Sequence, residues 1–288
     1  MSSTQVTHDD ARHRAAGQEP AAVRPPRRRE LSLRWMALWA VTSAVGLYLI
    51  LPTLLIIPMS FSDSSSLGRI SGQWTTRWYV ELLEDKDWLQ AARVSLQVAL
   101  LSTVVATVLG TAATFGLFKL SPRVRTIMQG SSLAPLIIPP VIMGIGIYIL
   151  MIKAGLYGSL FSLVVGHAVL TIPFVIVAVS TSLSQFDPNQ EQAAAILGAG
   201  PWTRFRRIVL PQILPGIVAG ALFAFVTSWD EVVVSTFLVS PEYRTLPVEM
   251  WIQARTTVTP VLAALSTILM VISTLALLGM FRLRRARK

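Results

Sequence analysis

Six apolar runs, each long enough to cross a hydrocarbon layer as a helix, leave this chain few alternatives to a helical bundle in a membrane. Such a span takes about 20 helical residues. The runs lie at Trp35 to Ser60, Val94 to Phe118, Leu133 to Ile152, Leu160 to Leu183, Ile213 to Val239 and Val258 to Phe281. With 53% apolar and only 14% charged residues among its 288, the chain falls well below the roughly one quarter charged of soluble domains. The expected fold is therefore an all-α membrane protein with six transmembrane helices.

Orientation follows from where Lys and Arg lie between the runs. With the N-terminus inside, the cytoplasmic side receives seven cations before the first run, three in the second loop (Lys119, Arg123, Arg125), three in the fourth (Arg204, Arg206, Arg207) and five at the C-terminus. The other side receives seven: Arg69, Arg77, Lys86, Arg93, Lys153, Arg244 and Arg255. Both termini are expected in the cytoplasm. The same placement explains the net charge of +10 as topology, with the lipid bilayer as partner and no nucleic acid. No cysteine is present, which excludes disulfides and thiolate metal sites.

Residues 1–34 mix Arg, Pro, Ala and Gln without periodicity and read as a disordered basic cytoplasmic tail. The first apolar run starts late and exceeds the roughly 7 to 15 residues of a signal-peptide core, which argues against a secretory signal. The first helix and an external loop occupy 35–90, and Trp74, Trp78 and Trp88 in that loop suit a membrane interface. Two readings of the loop stand level, a lid over helix ends and a docking site for an external protein. A five-helix core follows over 91–283, and 284–288 form a basic cytoplasmic tail.

Within the core, Thr103, Thr107, Gly110 and Thr114 recur at three and four residue spacing and mark a helix central to the bundle. Pro135, Pro139 and Pro140 predict a kinked third helix, either lining a path or merely packing. His167 in the fourth helix reads as hydrogen-bonded between helices rather than as a ligand. In the fifth run, Trp229-Asp230-Glu231 puts two acids about 26 Å along a helix from Ile213. Either Asp230 and Glu231 line the path of a cation, or they mark an interfacial helix end.

Between the fourth and fifth runs lies a polar insertion that reads as helix, turn and helix. Asp187 is placed to cap, Pro188 to start the helix and Gln190 to complete a capping box. Gly198 to Pro201 breaks the helix, after which Trp202, Phe205 and Val209 share one face and Arg204 and Arg207 another. The spacing resembles the cytoplasmic loop of the permease subunits of binding-protein-dependent ABC importers. That pattern is Glu-Ala-Ala, three residues, Gly, nine residues, Ile, one residue, Leu-Pro. Ala193, Ala194, Gly198, Ile208, Leu210 and Pro211 fall on it, while Gln192 holds the glutamate position and Glu191 precedes it.

The resemblance implies a type I ABC importer permease fold and a loop, 187–211, that docks on a separate ATPase. It further implies two ATPase subunits that use ATP and Mg, a second, related permease chain and an external solute-binding protein. Stretches around Arg77, Asp230 to Ser235, Ser240 to Pro247 and Thr259 to Thr267 are similar to the spermidine and putrescine branch, which implies a polyamine cargo. The substrate pathway expected on this reading includes Asp230, Glu231, Trp229, Pro139 and Pro140. No Gly-x-x-x-x-Gly-Lys-Ser/Thr loop and no catalytic constellation occurs, so the chain is expected to bind no cofactor or metal and to catalyse nothing itself. Import of another small solute is the alternative. An ion-coupled secondary transporter would show broken helices paired in two halves, and no internal repeat is evident.

Overall fold

The computed structural model of the protein describes residues 33–64, 72–256 and 259–286. The expected N-terminal tail lies outside these residues except at 33–34, as do 287–288 of the C-terminal one. The chain divides into two units, Met1–Thr53 and Leu54–Lys288. The described part of the first belongs to α1 (Leu33–Ser60), whose apolar stretch matches the expected first span.

In the second unit α2 (Arg77–Glu84) buries Trp78 and Leu82, four residues apart on one face. Helix α3 (Lys86–Phe118) starts eight residues before the expected Val94, because Asp85 caps it by accepting the Asp87 N–H at 2.8 Å. Its 33 residues reach about 50 Å. The added turns are amphipathic and bury Trp88 and Ala91 in a cluster with Trp78, Leu246, Val261 and Leu265. Of the three tryptophans expected at an interface, only Trp74 is exposed. Trp78 and Trp88 are core residues, and Trp78 Nε1 donates to the Ser62 carbonyl at 2.8 Å.

The third expected span is broken rather than kinked. Helices α4 (Pro122–Ser132) and α5 (Ala134–Ile137) run into α6 (Pro140–Lys153) at a bend of 95°. A proline also pushes the residue before it out of the helical region, and here Ile138 and Pro139 have ψ of 130° and 129°. Helix α7 (Leu160–Ser184) begins at Ser159, whose hydroxyl accepts the Ser162 N–H, and carries Pro173 inside it. Then come α8 (Pro188–Ile196), α9 (Pro201–Arg204), one π-helical turn over Phe205–Val209, and α10 (Leu210–Trp229). The fifth expected span is likewise two pieces, α10 and α11 (Val233–Leu238), separated at Asp230 to Val232. Helices α12 (Leu246–Thr256) and α13 (Val261–Ala286) complete the chain.

No strand occurs among the described residues, so the all-α class holds. Among the described residues four helices are each long and apolar enough to cross a membrane, and five if the bent pair counts as one span. Val261–Leu275 is a shorter apolar stretch.

Helices α3, α7 and α10 pack on one another and form the centre of this unit. Their approach depends on missing side chains. A Cβ on Gly110 of α3 would lie 2.8 Å from the Val175 Cβ, and one on Gly220 of α10 would lie 2.9 Å from the Val175 Cα. Val175 of α7 is thus wedged between two glycines, which lets three backbones close up without a side-chain layer between them. Thr114 adds to the packed face by donating to the Gly110 carbonyl at 2.8 Å, while Thr103 and Thr107 flank it half-buried.

Replacing Gly110 by Val should force α3 from α7 at a cost of about 1–3 kcal/mol, as overpacking does. The thermal midpoint of the detergent-solubilised protein should fall, and an unchanged midpoint would refute this packing.

Candidate functional site

Two polar regions interrupt the apolar helices. The first is 187–211. Asp187 accepts the Asn189 N–H at 3.0 Å and Pro188 opens α8, as the sequence indicates. Gln190 does not close a capping box. Its Oε1 accepts from Gln212 Nε2 at 2.7 Å, a side-chain donor on α10 that ties the two helices together. Two residues past the end of α8 comes Gly198, whose φ of +84° is open to glycine and costly for other residues. Beyond the helix end the N–H groups of Gly198 and Ala199 still reach the carbonyls of Ala195 and Ala194, both at 3.0 Å.

The elbow so formed exposes apolar side chains. Ile196 and Leu197 are 86% and 87% exposed, and Trp202 is 69% exposed. Trp202 therefore does not join a buried face with Val209. It stacks on Phe205 at 5.7 Å, and Phe205 in turn meets Phe115 of α3 edge-on at 5.5 Å. Glu191 pairs with Arg204 at 3.6 Å, so its charge is turned back on its own segment. Gln192, Ala193 and Arg207 are exposed, and Ala194 is half-buried.

The π-helical turn has a cause in the sequence. Pro211 and Pro215 lack N–H groups, so the carbonyls four residues before each lose their helical donor. The coil widens just ahead of Pro211, and the Leu210 N–H bonds five residues back to the Phe205 carbonyl. Ile208 and Leu210 are half-buried and Pro211 is exposed around the buried Val209. A cavity of about 800 Å³ opens beside the contact of this segment with the ends of α3 and α7. Phe115, Phe118, Leu183 and Phe205 line it, with Lys119, Arg125 and Glu191 among its polar residues.

The second region is the break between α10 and α11. Glu231 caps α11 with both carboxylate oxygens, accepting the N–H groups of Val234 at 2.9 Å and Ser235 at 2.8 Å. Asp230, one residue earlier, is exposed, and its side chain makes no hydrogen bond or ion pair with the described residues. The two acids therefore differ in kind. One is spent on the backbone and the other is exposed. Trp229 is half-buried and stacks on Phe225 at 6.0 Å.

Beneath the break lies a buried polar cluster. His167 of α7 bonds through Nδ1 to Ser228 Oγ and through Nε2 to Ser235 Oγ, both at 2.7 Å, and Ser102 of α3 donates to Ser228 at 2.9 Å. His167 is thus hydrogen-bonded between helices, as the sequence reading had it. Ser102, Ser228 and Ser235 were not singled out there. The signal was present in Ser228 and Ser235, seven residues and about two turns apart in an apolar run. Pro139 and Pro140 are exposed at the break before α6. That helix packs on α11, where Gly144 faces the Phe237 ring closely enough that a Cβ would lie 2.6 Å from it. The helices that follow the two breaks, α6 and α11, meet.

These features define a polytopic helical membrane protein whose apolar helices are interrupted where polar side chains gather. Residues 106–288 match the family described as the binding-protein-dependent transport system inner membrane component, and the chain belongs to that family. It is accordingly a multi-pass transport subunit of the bacterial inner membrane. It is 34% identical to the spermidine/putrescine transport system permease protein PotC of Escherichia coli K12, covering 80% of this chain and 87% of the relative. With the putrescine transport system permease protein PotI of the same strain it shares 32% identity over 84% of this chain and 88% of the relative. In fold it is similar to a crystal structure of a bacterial ABC transporter involved in the import of the acidic polysaccharide alginate. The TM-score is 0.70 at 16% identity, over 90% of this chain and 99% of that one.

Replacing Glu231 by Ala should free the Val234 and Ser235 N–H groups at a cost of about 1 kcal/mol, the usual loss on removing a helix cap. Hydrogen exchange in a peptide covering Val233–Leu238 should accelerate, and wild-type protection there would rule the cap out.

Proposed function

We propose that this chain is one of two permease subunits of an ATP-driven importer of polyamines such as spermidine and putrescine. In this reading six helices span the membrane and both termini are cytoplasmic. The second permease is a related chain, and two separate ATPase subunits bind ATP and Mg at the cytoplasmic face. An external solute-binding protein delivers the cargo. This chain binds no cofactor and performs no covalent step.

The observation that carries the reading is the elbow at Gly198. It offers a partner an exposed apolar knob, Ile196 and Leu197, at the position where the motif of this family lies. From that elbow the chain runs through α9 and the π-helical turn into α10, whose 20 residues reach about 30 Å to Asp230. A push on Ile196 and Leu197 is thereby carried toward the acidic break, while the cavity beside Phe115 and Phe205 gives the segment room to rock. Gln192 presents an uncharged amide to the ATPase, and Arg204 holds Glu191 out of that contact.

The polyamine assignment draws on the names of the two relatives above 30% identity. The exposed Asp230 carboxylate supports it, being placed to meet an ammonium group, with Trp229 and Glu231 beside it in the chain and Pro139 and Pro140 at the break before α6, the helix that packs on α11. The direct test is uptake of radiolabelled spermidine and putrescine in cells lacking this protein, with and without its restoration, against anionic and other cationic solutes. Restored polyamine uptake supports the reading. Unchanged uptake with an ATPase that still co-purifies would move the cargo to another small solute.

Two substitutions test the parts. Gly198→Leu puts a side chain in the left-handed region at about 1–2 kcal/mol and should abolish uptake by misdirecting the elbow. Wild-type uptake in that variant would contradict the coupling role. Asp230→Asn should slow spermidine uptake several-fold while ATPase co-purification persists, and unaltered kinetics would remove Asp230 from the path.

A further inference from the structure

Three residues, Asp230 to Val232, separate α10 from α11, and the exposed Asp230 carboxylate stands first among them. A break of this kind is soft unless something outside it fixes both ends. The Asp230 N–H reaches the Val226 carbonyl at 3.2 Å and the Glu231 N–H reaches Ser228 at 3.4 Å on the α10 side, while the Glu231 carboxylate and the Val232 carbonyl serve N–H groups of α11; none of these bonds ties one helix to the other.

Both ends of the break land on one ring. Ser228 lies two residues before Asp230 and Ser235 five after it, and each is 2.7 Å from a nitrogen of His167. The three side chains are buried, with 1% of His167, 4% of Ser228 and 0% of Ser235 exposed. The donors order themselves in one direction. Ser102 Oγ donates to Ser228 Oγ, which leaves the Ser228 proton for His167 Nδ1. Nε2 of the neutral ring then carries its proton and donates to Ser235 Oγ, whose own proton goes to the Glu231 carbonyl at 3.3 Å. Every member of the chain is satisfied, and each bond polarises the next.

Packing beside the ring agrees. Gly166 lies under α11 so closely that a Cβ there would be 2.6 Å from Leu238 Cδ1 and 3.2 Å from Val234 Cγ1. Helix α11 is seated on α7 at the point where the imidazole emerges.

We infer that His167 is the positioning residue of the transport path, a buried imidazole that clamps Ser228 and Ser235 and so fixes where Asp230 presents its carboxylate to the cationic cargo. This rests on the reading that Asp230 meets the cargo. His167 itself touches no substrate. Its two nitrogens set the span of the loop that does, and Ser102 links the clamp to α3, so that all three packed helices share in it.

The test is a double-mutant cycle on the full complex in proteoliposomes, with saturating binding protein loaded with spermidine, and with uptake and ATP hydrolysis read on the same vesicles. His167→Ala should lower spermidine uptake per ATP hydrolysed by about tenfold, the scale of coupling within one hydrogen-bond network. In an Asp230→Asn background the same change should cost less than about twofold, because the group it positions is already gone. His167→Asn and His167→Gln each keep an amide near one of the two nitrogen positions and should restore part of the yield.

Equal losses from His167→Ala in both backgrounds would make the ring a structural strut and overturn the inference while leaving Asp230 in the path. Wild-type yield in His167→Ala would overturn it outright. If Asp230→Asn alone left uptake unchanged, the reading of Asp230 would fall first and the inference with it. Should His167→Ala fail to assemble with the ATPase, His167→Asn and Ser235→Ala enter the same cycle under the same criterion.

Discussion

In a hydrocarbon layer a backbone N–H or C=O without a partner costs several kcal/mol, so a helix there is interrupted only where something repairs it. The interruptions in this chain each have an identifiable repair. At Asp230 to Val232 the repair is a carboxylate, with Glu231 accepting the N–H groups that open α11. At Pro139 and Pro140 it is the absence of donors, since two prolines have no N–H to satisfy, while the Pro139 carbonyl takes bonds from Ile142 and Met143 at 3.0 and 3.2 Å. Ahead of Pro211 the coil widens by one residue, and the Leu210 N–H bonds five residues back to the Phe205 carbonyl. Sequence cause and local remedy coincide at all three.

The distribution of these interruptions separates the second unit into rigid and adjustable parts. The trio α3, α7 and α10 is close-packed through Gly110, Gly220 and Val175, where no side chain can rearrange to absorb a shift. Irregular backbone flanks α10 on both sides, in the segment before it and at the break after it. Helix α10 joins the two without a gap. A displacement at one end therefore reaches the other with little loss, which is the mechanical property an energy-coupled transport subunit requires. A helix with a flexible middle would dissipate it.

The long apolar runs made the helices legible, and Gly198, Pro188 and Pro201 marked the turn and starts of the polar segment, because those residues act through their own backbone. What stayed hidden depended on distant partners. Trp78 and Trp88 read as interfacial because nothing local shows that Leu246 and Val261, more than a hundred residues on, cover them. Gln190 was read as a cap partner because Gln212, its actual donor, lies 22 residues away. Asp230 and Glu231 are near-equivalent in sequence, and only the position of the α11 N–H groups distinguishes them. His167 announced a hydrogen bond by being a histidine in an apolar helix, but Ser228 and Ser235 are 61 and 68 residues from it.

The division of labour between the acids bears on how a cation would traverse such a site. A pathway must attract its cargo enough to admit it and hold it weakly enough to release it. Two free carboxylates side by side, at the edge of a low-dielectric region, would grip a polycation tightly, since attraction between charges grows steeply as water is excluded. Committing Glu231 to two backbone N–H groups withdraws most of its acceptor capacity and leaves one carboxylate exposed. The same bonds build α11, so weakening the grip and building the path are one structural act. On the proposed reading, discrimination among cargoes would fall to a partner that binds before the membrane step, while this subunit would contribute a single, transient contact whose position is set by the hydrogen bonds beneath it.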